Sequence, residues 1–527
     1  MSRWLTRLYP WLFASLPILH FAAENPDQFE FGDLALLLGL VVVGGGLVYG
    51  LAALATRGRG PAELPAFVAM VAVVWFFGYP KVATMLSGRG VDARHEILIP
   101  AGLAASAALL WWVWRRPPFL EGTGRFLTLT GALIVGWSAV HIGSGWLSGR
   151  GAIGRSELAG DLAQPIEGPA SAQEPRRDVY VIVLDEYANA DVLRERFGFD
   201  NRPFEDSLRA LGFHVPRLVR SNYVHTLLSL PSLLNSAHLT GLEHELGPKT
   251  RHPAVPNYLL DHNRVAPYLE ARGYRYLFFP SNWWYSTHGS SMADAEFHPW
   301  TGFELMRSMS TGELLRAVKG LSVLRYFDPD HRWEADHVRR TFDGLAAVPG
   351  SGGPVFVFAH ILKPHDPYVF DRECGTLERT QDGRNEAGPY IEQLQCTNRL
   401  LLATVRRILR TSEVPPIIIL QGDHGTKRLG ATGYAEADSV PPAAARERVG
   451  AFGAYYLPDG GAAAFGDTVT VVNVLGNVLR YYFGARLPRA GDEQYISPAE
   501  FPYAFRRVDA RWLSGDDSAG PVLQAGR

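Results

Sequence analysis

Asp178-Val179-Tyr180-Val181-Ile182-Val183-Leu184-Asp185-Glu186 sets six consecutive apolar residues, four of them β-branched, directly before an acidic pair. A run without polar alternation suits a strand buried on both faces, as in a parallel sheet, with its carboxylates emerging at the C-terminal end. Runs at 274–279, 354–359 and 416–420 have the same character, and helical patterns at 203–211, 265–272, 390–409 and 469–482 lie between or after them. Strands alternating with helices predict an α/β domain with a mostly parallel central sheet, whose ligands bind beyond the carboxyl ends of the strands.

Upstream of this domain the composition changes. Of the 104 Lys, Arg, Asp and Glu in the 527 residues, only 19 fall within residues 1–150. Uncharged or nearly uncharged runs at 8–23, 34–55, 64–85, 97–114 and 126–147 predict an α-helical membrane domain of about five transmembrane helices over residues 1–147. The 8–23 run is short, contains Pro10 and Pro17 and follows Arg3 and Arg7, so a cleaved signal peptide is the alternative for it. Arg3, Arg7, Arg57, Arg59, Arg115, Arg116 and Arg125 fall on one side of the bilayer in this scheme. That side is then cytoplasmic, and everything after residue 147 lies outside. Gly44–46 sits within a continuous apolar helix and reads as close helix packing rather than as a nucleotide loop.

Residues 148–177 are rich in Gly, Ala, Ser, Pro and Glu and read as a linker. The α/β domain then covers 178–484, with a C-terminal extension over 485–527. The net charge of −2 offers no excess of cations to displace counterions from a nucleic-acid backbone, so nucleic acid is excluded as a general partner.

Chemistry gathers at the predicted strand ends. Asp185 ends the first strand. His360 and His365 follow the 354–359 run in His360-Ile361-Leu362-Lys363-Pro364-His365-Asp366-Pro367-Tyr368, and Asp423-His424 follow the 416–420 run in Gly422-Asp423-His424-Gly425. Taken singly, each has a bland account as a helix cap, a satisfied core histidine or a tight turn. Together, carboxylates and imidazoles at one sheet edge suit a divalent ion, Zn²⁺ or Mn²⁺ first, with Mg²⁺ or Ca²⁺ as alternatives. The segment Ser221-Asn222-Tyr223-Val224-His225-Thr226-Leu227-Leu228-Ser229 supplies hydroxyls at the start of an apolar helical pattern, where free N–H groups and the helix dipole favour a phosphate or sulfate ester.

The order Val-Leu-Asp, Asn-Tyr-x-x-Thr-x-x-Ser-Leu-x-Ser-Leu-Leu-Asn, His-Ile-Leu-x-Pro-His-x-Pro-Tyr and Gly-Asp-His-Gly resembles the sulfatase-like part of the alkaline phosphatase superfamily. Preceding membrane helices make the chain similar to lipoteichoic acid synthases and phosphoethanolamine transferases. The resemblance implies that Asp185, Thr226, Asp423 and His424 are metal ligands and that Thr226 is also the nucleophile. It further implies that His365 contacts a substrate phosphate and that His360 lies near the metal or a second metal position; as an imidazole there, His360 is also the candidate acid or base. Lys363 and Trp284 are added as candidate substrate contacts. The implied protein is a membrane-anchored transferase or hydrolase of phospho-ester groups in the cell envelope. It would be multi-pass in the plasma (inner) membrane with its catalytic domain extracytoplasmic, using a lipid or phospho-alcohol donor and an envelope glycan or lipid acceptor. The alternatives are a phosphodiesterase or sulfuric ester hydrolase, and a non-catalytic module that binds envelope glycans. Thr226 is followed by Leu-Leu-Ser rather than by the Pro and Arg of a formylglycine motif, so the usual sulfatase chemistry is disfavoured. Cys374 and Cys396 both fall in the outer domain, where a disulfide between them would persist.

Overall fold

The structure, a computed structural model, describes residues 5–25, 31–57, 61–87, 89, 94–169, 175–281, 287–297, 318–326, 330–350, 352–381, 387–429 and 439–513. The chain divides into two compact units, Met1–Ser148 with Gly302–Pro329, and Gly149–Thr301 with Asp330–Arg527.

The first unit is helical: α1 (Tyr9–Glu24), α2 (Phe31–Ala55), α3 (Leu64–Ser87), α4 (His95–Trp114) and the greater part of α5 (Pro117–Arg155). Four of these, α2 to α5, are long and apolar enough to cross a membrane. The remaining apolar run of the five forms α1, which is shorter. Its 16 residues rise only about 24 Å at ~1.5 Å each, short of the ~30 Å hydrocarbon core. Tyr9, Ala14, Ile18, Leu19 and Ala22 of α1 are buried. A Cβ on Gly45 would stand 2.7 Å from the Trp11 indole nitrogen, so the glycine lets α1 and α2 approach closely. The sequence patterns gave no sign that residues 318–326 cluster with these helices, where Val318 is buried.

The second unit is built on a six-stranded sheet of β1 (Val179–Leu184), β2 (Arg275–Phe279), β3 (Ala295–Glu296), β4 (Val355–Ile361), β5 (Ile417–Gly422) and β6 (Gly453–Tyr456), in the order β3-β2-β4-β1-β5-β6. All neighbouring pairs are parallel except β5–β6. The four runs read from sequence are β1, β2, β4 and β5, and β1 lies at the centre. Tyr180, Ile182 and Leu184 enter one core while Val179, Val181 and Val183 enter the other. Full burial on both faces is what an apolar run without alternation requires. Each such side chain contributes about 1.5–3 kcal/mol of hydrophobic stabilisation, so Val181→Asp would break the sheet at its centre. Helices α6 (Thr226–Asn235) and α10 (Val471–Phe483) contribute Leu230, Leu233, Val474 and Val478 to one face. Helices α7 (Asp330–Ala347) and α8 (Ala387–Thr411) contribute Ala335, Phe342, Leu401 and Val405 to the other. A further helix, α9 (Pro442–Val449), precedes β6.

The linker expected at 148–177 is partly structured. Helix α5 runs on to Arg155, and Glu157–Leu162 forms a further helix with Ala159 and Leu162 buried. Ser156 caps that helix by accepting from the Ala159 amide, and Glu245 accepts from Ser156 and from the Leu158 amide. The C-terminal extension also packs: Tyr495–Ile496 pairs with Arg506–Arg507, and Tyr503 is buried. Cys374 and Cys396 are disulfide-bonded. The bond ties the turn after Tyr368–Phe370 to α8.

Candidate metal and nucleophile site

Three strand ends of the sheet converge. Asp185 leaves β1 with its amide donating to Ile361 at the end of β4 (3.0 Å), and its carbonyl accepts from the His365 amide (3.2 Å). Glu186 takes a left-handed φ of 60°, which turns the chain sharply after the strand. Asp423 follows β5, and its Oδ1 accepts from the Glu186 amide at 3.0 Å and from the His424 amide at 2.8 Å. Thr226 arrives on the first residue of α6, and Ser221 holds the approach to that helix by donating to the Asp423 carbonyl at 2.5 Å. Ser229 donates to the Tyr223 carbonyl at 3.1 Å, so it supports the same turn.

One ligand atom each from Asp185, Asp423 and His424 can be chosen so that all lie within 4.8 Å of one another. All three residues are buried, as is Thr226 at 4% exposure. His424 Nδ1 faces the Gly425 carbonyl at 3.1 Å. With the proton assigned to Nδ1 by that contact, the Nε2 lone pair points into the site. There it meets Thr226 Oγ1 at 3.1 Å, Asp423 Oδ2 at 3.2 Å and Asp185 Oδ1 at 3.9 Å. Among the described residues, Asp185 Oδ1 and Asp423 Oδ2 are buried and meet no donor of ordinary hydrogen-bond geometry, although the Thr226 hydroxyl lies close enough to Asp423 to favour its charged form. Buried acceptors crowded together without donors are costly, and a divalent cation is the group whose chemistry resolves them. The residues therefore fit a metal of the zinc or manganese type. Burial, then the adjacent Asp423, pushes the Asp185 carboxyl well above the ordinary carboxylate range. Burial pushes Asp423 up to about 6 and drives the His424 imidazole well below its ordinary value.

A second cluster adjoins the first. His365 Nε2 lies 2.9 Å from Lys427 Nζ and 3.3 Å from Glu186 Oε2. Lys427 Nζ is also 3.2 Å from Glu186 Oε2 and 3.7 Å from Asp366 Oδ1. Arg448, from α9, reaches Glu186 Oε1 at 3.3 Å, the Gly425 carbonyl at 2.6 Å, the Val224 carbonyl at 2.9 Å and His424 Nε2 at 3.2 Å. Burial raises the Glu186 carboxyl, yet Lys427, His365 and Arg448 together outweigh it and hold it below its ordinary value. His360 is fully buried, with Nδ1 2.8 Å from Thr287 Oγ1 and Nε2 3.7 Å from Asp185 Oδ2, and burial pushes it down to about 3.

Asp185, Thr226, Asp423 and His424 are thus brought together, with His360 beside Asp185 and His365 at the neighbouring cluster. Lys363, expected to contact substrate, is fully buried, bonded to Glu334 and to the Pro367 carbonyl at 3.1 Å. Its ammonium fixes the loop to α7. Trp284 lies outside the described residues. Glu186, Lys427 and Arg448 did not emerge as site residues from the motifs. Glu186 and Lys427 had a signal, being next to Asp185 and three residues after His424; Arg448 lies 24 residues beyond His424 in an ordinary helical stretch and had none.

No family model and no curated protein matches the chain. Solved structures do. The C-terminal periplasmic domain of EcEptC from Escherichia coli in complex with zinc is similar at a TM-score of 0.44 and 10% identity, over 66% of this chain and 97% of that one. The lipooligosaccharide phosphoethanolamine transferase EptA from Neisseria meningitidis, an integral membrane protein, is similar at a TM-score of 0.37 and 12% identity, over 91% of this chain and 95% of that one. The lipoteichoic acid synthase LtaP from Listeria monocytogenes is similar at a TM-score of 0.36 and 9% identity, over 64% and 82%.

Proposed function

We propose that the α/β unit is a metal-dependent phospho-group transferase of the cell envelope, with Thr226 as nucleophile. In this reading the helical unit anchors it as a multi-pass protein in the plasma (inner) membrane, and the α/β unit is extracytoplasmic. The observation that carries the reading is the single hydroxyl of Thr226 set 3.1 Å from His424 Nε2 beside buried carboxylate oxygens that meet no other donor among the described residues. Asp185, Asp423 and His424 would hold the divalent ion, with Thr226 as the fourth ligand. Such an ion lowers the pKa of a hydroxyl and neutralises phosphoryl charge.

The chain's own groups supply the rest. Position at the N-terminus of the ten-residue α6 gives Thr226 the positive end of the helix dipole, which favours an anionic ester on its oxygen. Attack by Oγ1 forms the bond to phosphorus as the bond to the donor alcohol breaks, and the hydroxyl proton ends on the departing alcohol. An acceptor hydroxyl then reverses the step, returning its proton to Thr226. His360, held neutral beside Asp185, is the relay for these protons. His365, with a side chain 29% exposed at the site's rim, acts on the phosphoryl group of the entering ester through the Lys427 ammonium, 2.9 Å from its Nε2. The donor is a lipid or phospho-alcohol, and the acceptor is an envelope glycan or lipid.

The test is the intact mass of the full chain in detergent after exposure to membrane lipids. A mass increment that maps to Thr226 and disappears in Thr226→Ala is expected, and its weight identifies the transferred group. Turnover of a phosphodiester with equal rates in Thr226→Ala and the unaltered chain would refute the assignment. Product release without an acceptor would favour a hydrolase instead.

A further inference from the structure

The amino edge of the sheet, opposite to the one that carries Asp185 and Asp423, holds a cavity of about 200 Å³. Arg177 reaches it from just before β1, Tyr274 from just before β2 and Asp459 from just after the antiparallel β6. Tyr481, Tyr482 and Phe483 reach it from the end of α10. A drug-sized ligand needs about 300–1,000 Å³, so this cavity takes a single ring rather than a nucleotide or a lipid.

The fold fixes its walls. Arg177, with a side chain 8% exposed, donates to the Pro415 carbonyl at 2.7 Å and pairs with Asp459. Tyr274 donates to the Arg177 carbonyl at 2.9 Å, Tyr481 to the Asp459 carbonyl at 2.7 Å and Tyr482 to the Pro458 carbonyl at 2.6 Å. With their protons committed to the backbone, the Tyr481 and Tyr482 oxygens have only lone pairs to offer a ligand. Asp459, 64% exposed, adds its Oδ1, since Arg177 holds Oδ2. The guanidinium carries several N–H groups besides the two used in these contacts. Donor and acceptors together suit a group that both donates and accepts, which is a hydroxyl. The charges point the same way: a ligand cation would meet Arg177 and a ligand anion Asp459, each a like charge at close range. A neutral ring bearing hydroxyls avoids both, and its C–H faces pack against phenol rings.

We propose that this cavity is a carbohydrate-binding subsite for one neutral sugar ring, at the other edge of the sheet from the metal and nucleophile site. It is independent of the chemistry proposed for Thr226. Saturation-transfer NMR on the full chain, in a detergent without a sugar headgroup, tests it with methyl glucoside, methyl mannoside and methyl galactoside as neutral probes and glucosamine and glucuronate as charged ones. Saturation of the ring protons of at least one neutral probe is expected, with weaker binding of both charged probes. Tyr481→Ala should weaken the neutral probe about five-fold or more, and Tyr481→Phe, which keeps the ring, should stay within about two-fold of the unaltered chain. Asp459 has a left-handed φ of 56° that asparagine also tolerates, so Asp459→Asn keeps the backbone while leaving Arg177 without its counter-charge. That variant should prefer glucuronate. Thr226→Ala should bind the neutral probe as the unaltered chain does. No saturation of any neutral probe, or tighter binding of a charged probe by the unaltered chain, would overturn the proposal. So would undiminished binding in a folded Tyr481→Ala, or an Asp459→Asn chain that gains nothing for glucuronate, a result that does not depend on Tyr481→Ala folding.

Discussion

Two ligand groups lie side by side at the carboxyl edge of one sheet, one fully buried and one half-buried, and they differ in how closely a cation of the protein approaches their carboxylates. Glu186, His365 and Asp366 enclose the Lys427 ammonium, and the Glu186 carboxyl is held below its ordinary value despite burial. Asp185, Asp423 and His424 are met by Arg448 at His424 Nε2 alone, and burial outweighs that cation and raises both aspartates. Similar donor types thus give opposite electrostatic outcomes, depending on whether a cation lies directly against the carboxylate oxygens. The group without one is the group that requires an ion from solution, and it is the one beside the Thr226 hydroxyl.

The comparison can be broken most severely at Thr226. Thr226→Ala should reduce phospho-group transfer by at least about 1,000-fold, as loss of a nucleophile does, with zinc content less affected than activity. Transfer that survives would show that the group beside Thr226 serves another purpose. Next in size, Asp423→Asn should weaken zinc binding by at least about 100-fold. The same change at the filled group, Glu186→Gln, should leave the bound zinc in place.

The two groups should also respond differently to pH. Asp423 titrates near 6 in the folded protein against 3.8 when unfolded, so the folded, metal-free chain binds the extra proton between those values. Its stability therefore falls as pH rises from about 4 to about 6, and zinc, which needs the carboxylate, should restore it. The zinc-induced rise in Tm should be negligible near pH 4 and grow through pH 6. An increment independent of pH would contradict the burial of Asp423 as an unpaired acid. The smallest effect on activity is expected at the strap behind the filled group. Cys374→Ser with Cys396→Ser should cost about 2–4 kcal/mol of stability while changing the transfer rate by less than about two-fold. A larger kinetic loss would show that the loop carrying His365 and Asp366 depends on the disulfide.

How much of this was legible in sequence follows from how local each signal is. The β1 run announced a strand buried on both faces because every one of its six side chains is apolar, and the acidic residue that ends it could be placed at the sheet edge from that fact alone. The 416–420 run and Gly-Asp-His-Gly worked in the same way for Asp423 and His424. Lys363 was misjudged because a lysine between two histidines looks like a loop cation, whereas its partner, Glu334, lies 29 residues away. Arg448 was missed for the same reason, since its contacts to Glu186 and His424 span 262 and 24 residues. Hydropathy identified α1 as apolar without revealing which of its residues, Tyr9, Ile18 and Ala22 among them, are buried. Nothing in residues 318–326 distinguished a segment that clusters with membrane helices from a loop of the α/β unit.

Anomalous diffraction at the zinc absorption edge, from crystals of the full chain grown with zinc, tests the central claim most directly. A peak enclosed by Asp185, Asp423 and His424 and adjacent to Thr226 is the predicted result. A peak seated instead among Glu186, His365 and Asp366, or no peak at either group, would contradict it.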